Sequence, residues 1–322
     1  MSNAKSPELG EQPARLPPLA LIAGPTASGK SDLAVKLAKK LEAQGRPAAI
    51  INTDSAQVYR DLQVLSARPD EQEMQGIPHY LFGDWDGASA CSTAEWAAAA
   101  KEVIAQLHVA GSVPILVGGT GLYIRTLLDG ISPIPPIDPA IRETVRAMPQ
   151  AEARAALEIE DPEAASRLAP ADTTRTARAL EVIRSTGSPM YRWHGRLVGG
   201  IGADVSLHPL VLQPDRDWLY ERCDRRFSLM LDQGAVQEVE QLAARGLNPE
   251  LPVMRAIGVR EIMGWLSGEL SREQMIEAGQ LSTRQYAKRQ FTWFRNQPPK
   301  DWPRSAPENA ELGGIFELLL RN

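Results

Sequence analysis

Cysteine and histidine are scarce in this sequence of 322 residues. Its two cysteines, Cys91 and Cys223, are too few for a disulfide framework or a four-cysteine zinc site. The four histidines are scattered and lack the spacing of a zinc finger. Disulfide scaffolds and zinc fingers are therefore excluded, and we expect both cysteines to be small core residues of a reduced protein.

Long apolar runs and an excess of positive charge are also missing. No apolar stretch approaches the ~20 residues that span a bilayer. Residues 1–18 are polar and proline-rich, without the apolar centre of a signal peptide, so we expect a flexible segment there, no membrane contact and a cytoplasmic location. The net charge of −5 excludes a uniformly basic nucleic-acid-binding coat, although it allows a local basic surface.

The composition that remains is globular, with 43% apolar and 23% charged residues. In the first half, short apolar runs at 19–23, 48–51 and 113–117 alternate with helical patterns at 30–41 and 92–109. The second helix has Ser and Glu at the spacing of a capping box. Strands that alternate with helices in this way predict an α/β fold, with a parallel sheet flanked by helices.

The pattern changes in the middle of the chain. A proline-rich stretch at 132–139 and a glycine-rich stretch at 199–202 enclose a region rich in alanine and arginine with few strand signals. We therefore predict a core formed by 19–137 and 203–322, interrupted by a helical insertion at 138–202.

A glycine-rich segment between the first strand and the first helix fits the P-loop pattern. It consists of Gly24, Pro25, Thr26, Ala27, Ser28, Gly29, Lys30 and Ser31. Glycines let backbone N–H groups turn towards an anion, the helix start attracts negative charge, Lys30 supplies a cation, and the Ser31 hydroxyl can ligate Mg²⁺. The alternative is a chance glycine-rich turn between strand and helix.

The P-loop indicates a bound di- or triphosphate, but it does not identify a reaction. The strand at 113–117 ends in glycines instead of the aspartate that follows a Walker-B strand. This difference disfavours ATP-driven motors and GTPases.

Two polar side chains follow the predicted strands at 48–51 and 113–117, at the edge where a parallel sheet binds its ligands. Asp54 is a candidate general base or metal partner, or else the N-cap of a helix starting at 55. Thr120, in the Gly-Gly-Thr-Gly sequence at 118–121, could donate to a phosphate, or the glycines could form a tight turn that requires positive φ.

Two stretches are basic despite the acidic net charge. Residues 284–304 contain six basic residues and one acidic residue, interleaved with aromatics. Residues 167–196 contain six basic and two acidic residues. Each is either a solvated helix face or a surface that neutralises nucleic-acid phosphates, and their joint presence favours RNA.

Seven motifs in this order resemble the tRNA dimethylallyltransferase family, also called tRNA isopentenyltransferases, over nearly all of residues 19–304. They are GPTASGKS at 24–31, DSAQVY at 54–59, PH at 78–79, LVGGTGLY at 116–123, RALEV at 178–182, IGVRE at 257–261 and TRQYAKRQFTWFR at 283–295. The resemblance implies a P-loop NTPase-like sheet whose loop holds the diphosphate of dimethylallyl diphosphate instead of ATP. It also implies transfer of the dimethylallyl group to N6 of the adenosine at tRNA position 37, just 3′ of the anticodon.

The resemblance also assigns roles to residues. Asp54 resembles the family's general base, Thr120 the residue that positions donor and acceptor, and Arg284 a basic residue near the diphosphate, with Lys30 stabilising the leaving group and Mg²⁺ bound at Ser31. The helical insertion resembles the tRNA-gripping domain. Expected tRNA contacts are Asp54, Ser55, Ala56, Gln57, Thr120, Arg142, Thr174, Arg175, Thr176, Ala177, Arg178, Arg255, Ala256, Ile257, Gly258, Val259 and Arg260.

The sequence departs from the family pattern in two places. Val259 stands where an aromatic residue is common, and Ser66-Ala-Arg-Pro69 replaces the usual Thr-Ala-Lys-Pro. No zinc-finger extension is present, which indicates a bacterial-type enzyme, and we expect a monomer.

Three other functions are compatible with parts of the pattern. A small-molecule P-loop kinase would transfer phosphate and leave much of the chain unexplained. A nucleotide-gated RNA-binding protein would consume no prenyl donor. A related class of enzymes prenylates free AMP, and a direct comparison of AMP with tRNA separates it from the tRNA enzymes.

Overall fold

The computed structural model describes residues 16–321. These residues form two compact units: the first contains the chain up to Leu127 and from Ile201 on, and the second is Leu128–Gly200. Residues 1–15 of the expected flexible segment lie outside the described residues, and the first strand already begins at Pro18. Within the described part of the chain, no helix has the length and apolarity that crossing a membrane requires.

Residues 16–321 contain eight strands, of which six form a sheet in the first unit and two form a sheet in the second. They are β1 (Pro18–Ala23), β2 (Ala48–Asn52), β3 (His79–Tyr80), β4 (Val113–Gly118), β5 (Gly130–Ile131), β6 (Val198–Gly199), β7 (Ser206–Leu212) and β8 (Arg304–Ser305). The sheet of the first unit has the order β3-β2-β4-β1-β7-β8 with every pair parallel. The predicted α/β fold with a parallel sheet is therefore confirmed.

Helices fill most of the remaining chain. They are α1 (Lys30–Glu42), α2 (Glu71–Met74), α3 (Thr93–Val109), α4 (Gly121–Asp129), α5 (Pro139–Ala147), α6 (Gln150–Glu160), α7 (Pro162–Arg167), α8 (Thr173–Thr186), α9 (Tyr191–His194), α10 (Arg216–Asp232), α11 (Ala235–Ala244), α12 (Val259–Leu266), α13 (Arg272–Asn296), α14 (Leu312–Ile315) and α15 (Glu317–Arg321). Short 3₁₀ helices occupy Pro252–Arg255 and Pro307–Asn309.

The core of the first unit forms between the sheet and α1. The apolar face of α1, including Leu37 and Leu41, is buried against side chains of the central strands such as Ile22, Ile50 and Ile115. This spacing of three and four residues on the helix, set against continuous apolar runs in the strands, is the pattern that a parallel sheet covered by helices requires. The predicted capping box at the start of α3 is present.

The second unit is helical around its own small core. Val145, Leu157 and Leu180, from α5, α6 and α8, are buried there. This unit begins at Leu128, earlier than the insertion predicted at 138–202, because the two-residue strands β5 and β6 pair antiparallel. That pairing joins the segment before the proline-rich stretch to the segment at the end of the unit.

Candidate active site

The carboxyl ends of β1, β2 and β4 lie at one edge of the sheet and carry three functional segments. The P-loop follows β1, Asp54 follows β2, and the glycine-rich turn with Thr120 follows β4. Because the three strands are neighbours and parallel, their ends converge, as the sequence predicts.

The P-loop wraps around its own lysine. Gly29, at the N-cap of α1, has a left-handed φ of 82°, which glycine adopts at little cost. Lys30 Nζ donates a 2.6 Å hydrogen bond to the Pro25 carbonyl oxygen, and Ser28 Oγ donates to the same oxygen at 2.8 Å. Burial lowers the pKa of Lys30 to about 8, and the neighbouring Asp54 carboxylate opposes that shift.

A cavity of about 310 Å³ lies over this loop; we name it the phosphate cavity. It is lined by Thr26, Ala27, Ser28, Gly29, Lys30, Ser31, Asp32, Asp54, Gln57, Ser66, Ala67, Glu73, Val117, Gly118, Arg222, Arg225, Arg226 and Leu229. Three of these are arginines of α10. Arg222 Nε donates to the Ala27 carbonyl oxygen at 2.9 Å, and Arg226 Nη1 donates to Thr26 Oγ1 at 3.2 Å, so two guanidinium groups are fixed beside the loop.

A second cavity, of about 330 Å³, adjoins the first; we name it the aromatic cavity. Its lining is Thr26, Asp54, Ser55, Ala56, Tyr59, Leu65, Ser66, Cys91, Tyr123, Arg226, Phe227, Met230, Pro252, Arg255, Ala256, Ile257, Thr283, Tyr286 and Arg289. Thr26, Asp54, Ser66 and Arg226 line both cavities. The phosphate cavity and the aromatic cavity therefore meet at the carboxylate of Asp54 and the guanidinium group of Arg226.

Asp54 is held by a turn. Its backbone N–H donates to Asn52 Oδ1 at 2.7 Å, and its Oδ1 accepts from the Ala56 N–H at 2.9 Å. Asn52 is fully buried and also donates to the Asp54 carbonyl oxygen at 2.9 Å. Residues 55–58 form a turn and no helix begins there, so the alternative interpretation of Asp54 as a helix N-cap is wrong.

Thr120 belongs to a hydroxyl network beside Asp54. Its Oγ1 accepts from the Ser55 N–H at 3.0 Å and lies 3.2 Å from Ser55 Oγ. The Tyr286 hydroxyl, from α13, interacts with the side chains of Thr120 and Ser55, and this interaction favours the charged form of the phenol. Burial raises the pKa of Tyr286, and the negative charge of Asp54 adds to the shift, so this phenol stays neutral.

The glycines around Thr120 serve close packing. Gly118, Gly119 and Gly121 do not have positive φ, so a tight turn that requires it is the wrong explanation. A Cβ on Gly118 would instead clash with Thr53, and one on Gly119 would clash with the Gln290 side chain. Gln290, 5% exposed on α13, donates to the Gly119 carbonyl oxygen at 2.9 Å and accepts from the Thr26 N–H at 2.7 Å, which ties this turn to the P-loop.

Arg284 lines neither cavity, so its role near the diphosphate, which the resemblance implies, stays a prediction. Its Nη1 pairs with Asp224 Oδ1 at 2.5 Å, whereas Arg226 lines both cavities. Tyr286 on the same helix points into the aromatic cavity, and two residues along an α-helix rotate the side chain by about 200°. Arg284 therefore faces away from the cavity.

The expected tRNA-contacting residues of the first unit have different environments. Arg255, Ala256 and Ile257 line the aromatic cavity, and Arg260 is exposed. Gly258 forms the N-cap of α12 with φ 95°, and Val259 is fully buried.

Ser55 and Ala56 also line the aromatic cavity. Gln57 lines the phosphate cavity and donates to the Ser66 and Ala67 carbonyl oxygens, at 3.0 and 2.8 Å.

In the second unit, the expected contacts lie on α5 and α8. Arg142, Thr174 and Arg175 are exposed, and Ala177 and Arg178 are half-buried. Thr176 is fully buried. Because neither Thr176 nor Val259 has accessible surface, a contact between tRNA and these two residues does not fit the structure.

Four residues of the site were not predicted from the sequence: Arg222, Arg226, Tyr286 and Gln290. The two arginines are four residues apart in a run with Arg225, a spacing that places them on one helical face and could have marked a third basic patch. Tyr286 and Gln290 are also four residues apart and therefore lie on one face of α13. Only their contacts show that this face points towards the site.

The chemistry of the phosphate cavity suits Mg²⁺ with a phosphate ligand. Mg²⁺ prefers oxygen and is often held by one or two protein oxygens together with substrate phosphates and water. The oxygens of Ser31 and Asp54 line this cavity. Among residues 16–321, no group of three or more His, Cys, Asp and Glu side chains could hold a metal without such help.

Comparison with known proteins gives the same family throughout. The IPP transferase family model matches residues 57–297. The chain is 67% identical over 305 residues to the tRNA dimethylallyltransferase of Erythrobacter litoralis, covering 95% of this chain and 96% of the relative. Its fold resembles the tRNA isopentenylpyrophosphate transferase of Bacillus halodurans, with a TM-score of 0.66, 32% identity and 94% of each chain covered. A eukaryotic dimethylallyltransferase acting on tRNA has a TM-score of 0.73 at 30% identity, over 86% of this chain and 69% of that one.

Proposed function

Since the chain belongs to the IPP transferase family of tRNA dimethylallyltransferases, we propose that it moves the dimethylallyl group of dimethylallyl diphosphate to N6 of the adenosine at tRNA position 37. The observation that carries this proposal is the meeting of the two cavities at Asp54. One cavity suits an anionic leaving group, the other suits a prenyl group and a base, and the carboxylate lies at their boundary.

The phosphate cavity supplies the electrostatics for a diphosphate leaving group. Lys30, Arg222 and Arg226 bring three cationic side chains around the loop, and the start of α1 adds unpaired N–H groups. These charges stabilise the negative charge that develops as the bond between carbon and diphosphate oxygen breaks. Bound at Ser31, Mg²⁺ would supply further neutralisation of the diphosphate.

The aromatic cavity provides the place for the nucleophile. Tyr59, Tyr123 and Phe227 offer ring surfaces for the prenyl group and an adenine extracted from its stack. The N6 amine is a weak nucleophile because its lone pair is delocalised into the ring. It forms the new bond to the allylic carbon as diphosphate departs, and Asp54 takes the proton that N6 loses.

The second unit supplies a basic surface that takes no part in the chemical step. Arg142, Arg175 and Arg178 present guanidinium groups on α5 and α8, where they suit the RNA backbone. Monomeric state and cytoplasmic location stay predictions.

The test is incubation of the protein with labelled dimethylallyl diphosphate and an unmodified tRNA transcript that carries adenosine at position 37. We expect label in the RNA, and none in a matched transcript with guanosine at that position, which has no N6 amine. Parallel reactions contain AMP or ATP as the acceptor. Label in AMP with none in tRNA, or ATP cleavage without prenyl transfer, would contradict the proposal.

A further inference from the structure

A buried carboxylate in the second unit is surrounded by three arginines. Glu181 on α8 is 1% exposed. Its carboxylate pairs with Arg146 Nε at 2.9 Å, with Arg178 Nη1 at 3.5 Å and with Arg142 Nε at 4.0 Å. Arg142 and Arg146 come from α5 and Arg178 from α8, so one acidic side chain joins the basic faces of two helices.

The cluster carries more positive charge than its carboxylate needs. One arginine would neutralise Glu181, as the single Arg184 does for Glu160 in the same unit. Buried ion pairs contribute little net stability, so stability does not explain the second and third arginines. The side chains of Arg142, Arg146 and Arg178 are 47%, 66% and 41% exposed, so part of each guanidinium group remains available to a ligand.

The composition of these helices indicates which part of an RNA would bind. Residues 139–186, from α5 through α8, contain no Phe, Trp or Tyr on which a base could stack. Guanidinium groups with free N–H donors instead match the geometry of phosphate oxygens. Because a fixed guanidinium loses little freedom on binding, holding three of them in place favours binding to a chain of phosphates.

We propose that Glu181 is a positioning residue that holds Arg142, Arg146 and Arg178 as one surface for the phosphodiester backbone of RNA, with Arg146 as a contact that the family resemblance did not assign. The inference rests on the proposed function, because tRNA is the substrate that brings such a backbone. Glu181 itself does not touch the RNA and acts through the three arginines.

Glu181→Gln tests the positioning role because simple electrostatics and the positioning role predict opposite changes in the affinity for tRNA. The substitution removes one negative charge, so attraction alone would tighten tRNA binding. If Glu181 orders the arginines, binding weakens instead, by about tenfold if the equivalent of one charge-assisted hydrogen bond is lost. We expect KM for tRNA to rise while kcat at saturating tRNA stays unchanged. Glu163→Gln is the control, because exposed Glu163 pairs with Arg167 in the same unit.

Arg146→Gln tests the surface even if Glu181→Gln impairs folding, since Arg146 is 66% exposed. Loss of one phosphate contact should weaken tRNA binding and reduce the slope of log affinity against log salt by about 0.7–0.9. Arg321→Gln, with a side chain 74% exposed and the same charge change outside both basic stretches, should have the smaller effect on both. Binding by folded Glu181→Gln as tight as wild type or tighter, or equal effects of Arg146→Gln and Arg321→Gln, would overturn the inference.

The wild-type protein separates this result from failure of the proposed function. If wild type labels tRNA and binds it, the variants decide on the cluster alone. If wild type neither binds tRNA nor transfers the prenyl group, the proposed function fails and the inference fails with it.

Discussion

Asp54 and Arg226 line both the phosphate cavity and the aromatic cavity, so a carboxylate and a guanidinium group of opposite charge share the boundary between them. Burial lowers the pKa of Arg226, and the Asp54 carboxylate opposes that shift. The guanidinium group also hydrogen-bonds Thr26 of the P-loop. Its position fits a cation that neutralises the departing diphosphate while Asp54 receives a proton from the acceptor.

Arg226→Gln should weaken the affinity for dimethylallyl diphosphate by about tenfold or more, because a charge-assisted contact beside the P-loop is lost. Arg284→Gln is the matched control, since its guanidinium pairs with Asp224 outside both cavities. The measurement is the dissociation constant of the donor for each variant. A larger effect of Arg284→Gln than of Arg226→Gln would support the role that the sequence assigned to Arg284.

Donor affinity should fall as pH rises through about 8, where Lys30 loses its proton in the free protein. Above this pKa, binding with a charged lysine requires uptake of a proton, which lowers the affinity for the donor by up to about tenfold per pH unit. Titrations of dimethylallyl diphosphate between pH 7 and 9.5 measure the effect. Lys30→Met should bind more weakly and lack this pH dependence, and an equal slope in both proteins would show that another group titrates.

Gly118→Ala should destabilise the first unit by about 1–3 kcal/mol, because its Cβ would clash with Thr53 in a packed interior. The control is Gly314→Ala in α14, where a Cβ would meet no atom within 4 Å and alanine is the better helix former. The free energy of unfolding in denaturant checks both. Equal stabilities of the two variants would remove close packing as the reason for glycine at 118.

The sequence predicted the parts of the site that depend on local pattern. The P-loop between β1 and α1, and Asp54 after β2, follow from apolar runs, helical spacing and glycine, all of which act over a few residues. The edge of the sheet where they meet follows from parallel topology alone. These features are therefore predictable before any contact is known.

Contacts between distant segments were not predictable in the same way. Gln290 bonds Thr26 across 264 residues of sequence, and Arg226 reaches Thr26 across 200. Composition marks both helices as basic, but it does not give the rotation of a helix about its axis. That rotation decides that Arg226 lines the cavities while Arg284 pairs with Asp224.

The central claim is that Asp54 accepts the proton from the nucleophilic nitrogen, and Asp54→Asn tests it most directly. Asparagine keeps the size and the oxygen that accepts from Ala56, so donor and tRNA affinities should survive. We expect single-turnover transfer at saturating substrates to fall by about 10²–10⁴, whereas Asp217→Asn, an exposed position in the first turn of α10, should transfer normally. Wild-type transfer by Asp54→Asn would contradict the account.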